Sequence, residues 1–181
     1  MNRSESTLPG IGVTDDLSRT TMSSPVGELT LIAGPGGLRA VLWPNELDEP
    51  DRLPLSEDGD RAAATVLRRT IIQLGEYFAG DRQEFDLPLD PVGTEFQQSA
   101  WLQLQLIPYG ATISYGEQAR RLGDVRKSRA VGAANGRNPI SIIVPCHRVI
   151  GANGSLTGFA AGIEAKSWLL RHEQGTLTLL D

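Results

Sequence analysis

Cysteine is nearly absent from this 181-residue chain: Cys146 is its one thiol, and His147 and His172 are its two histidines. A single cysteine excludes an intramolecular disulfide framework and fits a reducing compartment. Neither a zinc site of four cysteines nor one of two cysteines and two histidines can be assembled from this set, and we expect no metal and no other cofactor. No run of about 18 apolar residues occurs, so no membrane-spanning helix and no membrane partner is expected. Residues 1–20 scatter Arg3, Glu5, Asp15, Asp16 and Arg19 among small polar residues, without the apolar segment of a secretory signal. A cytoplasmic location is the corresponding expectation. What the chain does have is 40% hydrophobic residues, enough for a packed core in one domain or two small ones.

Charge is unevenly placed behind a formal total of −5. Residues 1–91 carry 16 acids against 8 arginines, whereas residues 92–181 carry 9 cations against 6 acids. Seven of those 9 cations fall between Arg120 and Arg148. Such clustering suits a polyanion, and on charge alone it suits a solvated helix face equally well.

Residues 1–20 have low hydrophobicity and no period, and read as a flexible tail. Glu28–Ala33 and Leu38–Trp43, set between turns at Ser24–Gly27 and Gly34–Gly37, read as a β-hairpin. Residues 44–59 are acidic and proline-bearing, hence loop. Apolar residues recur with helical period over Arg61–Phe78, and Gly80 stops that helix. Phe85–Pro91 reads as extended, with Pro88–Gly93 as an interdomain linker. Thr94 and Gln97 form a capping box ahead of a helix bearing Phe96, Ala100, Leu104 and Ile107. Ser114 and Glu117 suggest a second box, opening a short helix that stops at Gly123. Ser128 then caps another, running from Arg129 to Asn135. Two short helices joined by a tight basic turn have helix-turn-helix proportions, although helical hairpins are also common structural units.

Chemistry concentrates at Pro145-Cys146-His147-Arg148. The apolar run before it reads as a buried strand ending at Cys146. A thiol beside cationic groups has a lowered pKa, and the thiolate is the nucleophile; a lone cysteine after an apolar run is otherwise an inert core residue. Neighbouring residues do not face each other along a strand, so His147 would act on Cys146 through a water. Glu173 is one of few acids available to orient the imidazole, but local sequence alone favours reading it as a solvent-facing helix residue. His172 reads as an exposed helix-end residue favoured by the dipole. Thr157–Gly162 is a small-residue loop that either offers backbone N–H groups to a flat ligand or simply connects to the last helix.

Pro145-Cys146-His147-Arg148-Val149 resembles the active-site signature of the O6-alkylguanine-DNA alkyltransferases. Ile113-Ser114-Tyr115, Arg129-Ala130-Val131-Gly132, Asn138-Pro139 and Leu169-Leu170-Arg171-His172-Glu173 follow in the family's order and spacing. The likeness reaches upstream through Ser24–Gly27 and Tyr77–Gly80, covering residues 21–181. It implies an α+β chain of bacterial type: a tail over 1–20, a ribonuclease H-like domain over 21–91 built from a β-hairpin or sheet and a helix, and a winged helix-turn-helix-like domain over 92–181.

The implied activity is direct repair of double-stranded DNA. An alkyl group passes once and irreversibly from guanine O6 to Cys146, in a monomer, with clustering on DNA and O4-alkylthymine left open. The resemblance makes His147 the base through a water, Glu173 its orienting group, and Tyr115 the residue that rotates the target phosphate and protonates the departing base. Asn138 would link recognition helix and active site. Arg129 would fill the space of the extruded guanine, with Lys127, Ser128, Ala130, Gly132 and Ala133 along the DNA. Pro145, Val149, Phe159, Ala160 and Ala161 would line the pocket. Phe159 stands where a tyrosine is usual, and Ala160 and Ala161 where serine or glycine is common, which puts bulky O6 substituents in doubt. The family's zinc-binding animal members use cysteines this chain lacks, and its non-reactive relatives carry tryptophan in place of Cys146. The competing readings are a damage-recognising or regulatory DNA binder with an inert thiol, and a Cys-His hydrolase that turns over.

Overall fold

The computed structural model describes residues 17–46 and 61–175. Three antiparallel strands, β1 (Ser18–Ser24), β2 (Gly27–Gly34) and β3 (Gly37–Leu42), form a meander in chain order. The expected hairpin is β2 and β3. The tail expectation fails at residues 18–20, which pair with Ile32 and neighbouring residues of β2 as part of β1, and Leu17 is buried. Strand β1 was illegible because it carries polar residues (Ser18, Arg19, Thr20, Thr21) rather than an apolar alternation. The remaining residues of that tail, and most of the loop expected over 44–59, lie outside the described residues.

Alternation sorts the meander into two faces. Leu29, Leu31 and Ala33 join Leu38 and Val41 in the main core, while Ile32, Ala40 and Leu42 form a small second cluster with Leu17. Helix α1 (Arg61–Ala79) covers the first face with Ala63, Val66, Leu67, Leu74 and Tyr77. The expected linker is not a free tether: Leu38 N–H donates to Pro88 O at 2.8 Å, and Asp90 N–H donates to Leu38 O at 2.8 Å. The chain therefore leaves the first half fastened along β3.

Helix α2 (Glu95–Gln105) begins with the complete Thr94–Gln97 capping box. Helix α3 (Tyr115–Arg121) and helix α4 (Ser128–Gly136) flank a 3-10 turn, Val125–Lys127. Two cap expectations are corrected. Ser114 accepts the Glu117 N–H at 3.1 Å, but the Glu117 carboxylate pairs with Arg120 and Arg121 instead of returning to Ser114. Ser128 does not cap α4; its hydroxyl donates to Val125 O, because the 3-10 turn already leads the backbone into the helix. A parallel pair, β4 (Ile113–Ser114) with β5 (Val149–Ile150), and helix α5 (Ile163–Glu173) complete the described chain.

Amides lock the helical unit. Gln118 and Asn135 exchange hydrogen bonds at 2.8 and 3.1 Å, Gln118 also donates to Ala100 O, and Trp101 Nε1 donates to Ala134 O at 2.9 Å. Helices α2, α3 and α4 thus hold one another through buried, satisfied polar groups. No helix among the described residues is long and apolar enough to cross a membrane.

Gly37 shows how tightly linker and sheet meet. It lies at φ +137°, and an added Cβ would stand 2.4 Å from Pro88 O. Gly37→Ala should lower the unfolding free energy by about 1–3 kcal/mol. Gly75→Ala, on the open face of α1 with nothing within 4 Å, should raise it by roughly 0.5–1 kcal/mol. Urea denaturation checks both signs, and equal stability for the two variants would break the argument.

Candidate active site

The run before Cys146 is buried as expected, but it is not a strand. Asn138 Oδ1 accepts the Ile140 N–H at 3.0 Å, and Asn138 Nδ2 donates to Val144 O at 2.7 Å. Val144 N–H closes the turn on Ile140 O at 2.9 Å. With backbone groups satisfied locally, no ladder is required. The apolar composition instead reflects burial against the sheet, where Val41 N–H donates to Pro139 O at 2.8 Å. Ile142 is held at φ 75°, a left-handed conformation that a β-branched residue adopts only when its surroundings impose it.

This segment leads into a 3-10 turn, Cys146–Arg148, with all three side chains buried. The expectation of a thiol acidified by its neighbours is corrected. Burial pushes Cys146 up, and the Asn138 amide, the Lys166 ammonium and the Ser141 hydroxyl only partly offset it. His147 is pushed down, first by burial and against the pull of Glu173, so the imidazole rests neutral. Arg148 is engaged by that same carboxylate. A neutral thiol near a neutral imidazole needs proton transfer before it can attack.

Glu173 gathers the site. Its Oε1 accepts from His147 Nε2 at 2.7 Å, Tyr77 Oη at 2.8 Å and Arg148 Nη2 at 3.0 Å. Its Oε2 accepts from Arg148 Nε at 2.8 Å and the Gly110 N–H at 3.1 Å. Burial alone would raise this carboxyl, but the hydrogen bonds and charges of His147 and Arg148 outweigh it and hold Glu173 far below the usual carboxylate range. The solvent-facing reading of Glu173 is thereby excluded. With Nε2 carrying its proton toward the carboxylate, Nδ1 keeps the lone pair; it is buried and has no partner within the described protein. His172, expected to be exposed, is partly buried: Nε2 meets Tyr77 O at 2.7 Å and the ring stacks on Trp168 at 4.9 Å.

Two site residues escaped the sequence reading. Lys166 is fully buried and donates to Val149 O at 2.6 Å and Thr157 O at 2.9 Å, with Tyr115 Oη 3.4 Å away. Tyr115 Oη also donates to Thr157 O at 2.9 Å. Lys166 therefore joins β5, the small-residue loop and Tyr115 at one ammonium. Tyr77, on α1, is the other. Their signal lay in α5, whose buried stripe Lys166, Leu169, Leu170 and Glu173 has the i, i+3, i+4, i+7 spacing of a core face with charged residues at both ends.

The other predicted residues divide. Arg129, Ala130 and Ala133 are exposed on the outer side of α4 beside Lys127, while Ser128 is half-buried. Gly132 faces inward instead, where an added Cβ would stand 3.7 Å from the Tyr115 ring. Asn138 follows α4, its N–H donating to Asn135 O at 3.1 Å while its side chain bonds Ile140 and Val144 ahead of the Cys146 turn. Val149 is a buried member of β5, and Pro145 leads into the 3-10 turn. Phe159 meets the edge of Trp43 at 5.6 Å, and Ala160 O accepts from Asn45 Nδ2 at 2.8 Å, so the turn after β3 steadies the loop. Ala161 lines a separate groove against α5. The expected basic cluster shrinks: Glu117 holds Arg120 and Arg121, Asp124 holds Arg126, and Glu173 buries Arg148. Lys127, Arg129 and Arg137 form no ion pair among the described residues, although the Lys127 charge acts on Asp124.

These shifts dictate a pH profile for stability. His147 is depressed in the fold, so stability is present above its unfolded pKa of about 6.5 and lost as pH falls below it, with Glu173 adding a loss below about 4.3. Cys146 is raised, so stability is lost as pH climbs above about 8.5. Urea midpoints should fall on both sides of this window. Cys146→Ser should abolish the decline between about pH 8.5 and 9.5; an unchanged alkaline limb would refute the buried-thiol assignment.

Comparison with known proteins agrees with this geometry. Residues 17–91 match the family model described as 6-O-methylguanine DNA methyltransferase, ribonuclease-like domain, and residues 95–175 match its DNA binding domain. A methylated-DNA–protein-cysteine methyltransferase from Mycolicibacterium paratuberculosis is 48% identical over 165 residues, 89% of this chain and 97% of the relative. Its namesake from Methanosarcina acetivorans is 48% identical over 153 residues, 83% and 94% of the two chains. The crystal structure of Mycobacterium tuberculosis OGT in complex with DNA superimposes with a TM-score of 0.75 at 46% identity, covering 87% of this chain and 93% of that one. With models of both halves matched end to end around one buried Cys-His-Glu array, the chain belongs to the 6-O-methylguanine DNA methyltransferase family.

Proposed function

We propose that this protein repairs alkylated DNA by transferring an alkyl group from guanine O6 in double-stranded DNA to its own Cys146, once per molecule. The observation that carries the reading is the line of buried groups from Cys146 through His147 to Glu173, with the unpartnered Nδ1 of His147 available as base. Through a bridging water, Nδ1 takes the Cys146 proton while Glu173 holds the resulting imidazolium. The thiolate attacks the alkyl carbon; a C–S bond forms, the C–O bond breaks, and its electron pair leaves with guanine. Tyr115, held half-buried over Gly132 and bonded to Thr157 O, gives the base its proton. Lys166 keeps that hydroxyl and the pocket loop in place. Every group in this scheme comes from one chain, so a monomer suffices.

A buried thiol cannot reach a stacked base, so the guanine must leave the duplex. The outer side of α4 suits that step. Ala130 and Ala133 allow close approach to a groove, and the exposed Arg129 is free to enter the space the base vacates. Lys127 and Arg137 flank it toward the phosphates. Phe159 lines the pocket with a ring but no hydroxyl, and Ala160 retains a backbone N–H for the base edge. The product is a thioether. No second thiol exists to remove it, so the protein is consumed, which distinguishes it from a Cys-His hydrolase that would turn over.

Intact-mass measurement after incubation with an O6-methylguanine duplex should show one added methyl group, mapped to Cys146 and absent in Cys146→Ser. Tight binding with no mass change would favour damage recognition without repair. Arg129→Ala should slow transfer from duplex DNA at least about tenfold, since support for an extruded base is worth a few kcal/mol. Its rate with the free O6-benzylguanine base should stay within about twofold of the parent's, and equal losses on both substrates would remove Arg129 from the flipping step.

A further inference from the structure

Among the described residues, the hydroxyl of Tyr77 makes the one side-chain hydrogen bond from the first half of the chain to the Glu173 carboxylate. It donates to Oε1 at 2.8 Å, the same oxygen that faces His147 Nε2 at 2.7 Å. The bond is fully enclosed: Tyr77 has no exposed surface, and Phe78, Phe85, Tyr109 and His172 surround its ring at 5.1–6.1 Å between centroids. The same residue also receives His172 Nε2 on its backbone oxygen at 2.7 Å. One residue of α1 thus grips two consecutive residues of α5, one with its backbone and one with its side chain. Burial and the neighbouring carboxylate push the Tyr77 hydroxyl far up, so it stays a donor at every working pH.

We propose that Tyr77 is a positioning residue for alkyl transfer, acting through Glu173: by sharing Oε1 with His147 it limits how strongly that oxygen attracts the imidazole proton. The proposal rests on the reading of His147 as base. A carboxylate shares its negative charge among its donors, so each added donor weakens the hold on the others. The other groups facing this pair are Arg148, Cys146 and Lys166, together with Tyr109 and the Gly110 N–H from the segment before β4. None of these is altered when the Tyr77 hydroxyl is removed. Glu173 then remains ionised against Arg148 but binds the imidazolium more strongly, which raises the pH at which His147 becomes a neutral base.

Tyr77→Phe keeps the ring and deletes the donor. The acid limb of the alkyl-transfer rate with free O6-benzylguanine should move up by about half a pH unit, an approximately threefold loss on that limb. The rate above the limb should not fall. The downfield proton resonance of His147 Nε2–H supplies a readout independent of activity and should move further downfield as the His–Glu bond strengthens. A uniform rate loss with an unmoved limb, a limb shifted downward, or an unmoved resonance would each overturn the proposal. If the parent protein takes up no alkyl group, the base reading itself fails and this role falls with it. That result is distinguishable because it appears before any variant is made.

Discussion

Everything around the reactive thiol depends on one buried anion. Taking a carboxylate out of water costs several kcal/mol unless charge and hydrogen bonds are restored around it. Here the restoration comes from three other parts of the chain: His147 and Arg148 in the 3-10 turn, Tyr77 on α1, and the Gly110 N–H. A group that needs so many partners at once forces those parts into a single arrangement with α5. Glu173 therefore positions His147, the base on the proposed reading, and, by the same contacts, ties the sheet-bearing half of the protein to the half that carries α4. Removing any one donor loosens a contact between segments far apart in sequence.

The same burial explains why Cys146 and His147 rest uncharged. Each is denied its ionised form by desolvation until a proton moves between them. An imidazolium that forms there finds Oε1 already at 2.7 Å, so stabilisation is in place before charge develops. Keeping the thiol neutral at rest also suits a protein used once, because an exposed thiolate would be lost to unrelated electrophiles and oxidants.

Much of this was legible in the residues, and the failures have a common cause. Glycine stops, the Thr94 capping box and the period of α1 are local, and local rules found them. The run from Pro139 to Val144 misled because apolar composition reports burial, not backbone form; the Asn138 side chain decides the form by taking both the Ile140 N–H and the Val144 oxygen. Strand β1 was hidden by its polar residues. Lys166 and Tyr77 went unnoticed because nothing nearby in sequence marks them, although the buried stripe of α5 ends in two charged residues, a pattern that cannot be satisfied without partners from elsewhere. The family resemblance named Glu173 where local reading favoured solvent, and the structure shows why both arose: its neighbours Arg171 and Gln174 are exposed.

The electrostatics of the outer surface follow a similar logic. A chain of net charge −5 is a poor polyanion binder in bulk, and the helix-turn-helix does not reverse this by massing cations, since Glu117 and Asp124 pair with Arg120, Arg121 and Arg126. What is left is narrow: Lys127, Arg129 and Arg137 around a strip of alanines. On the proposed reading, so few cations outside ion pairs would release few counterions from a duplex, and non-specific association would stay weak. A strip of small side chains contributes only when a groove can settle closely onto it. On the proposed reading, selectivity for a damaged site then comes less from attraction to the duplex than from the lower cost of extruding a base whose pairing the O6 substituent has already weakened. The protein needs to hold DNA only well enough to offer each such base an open pocket.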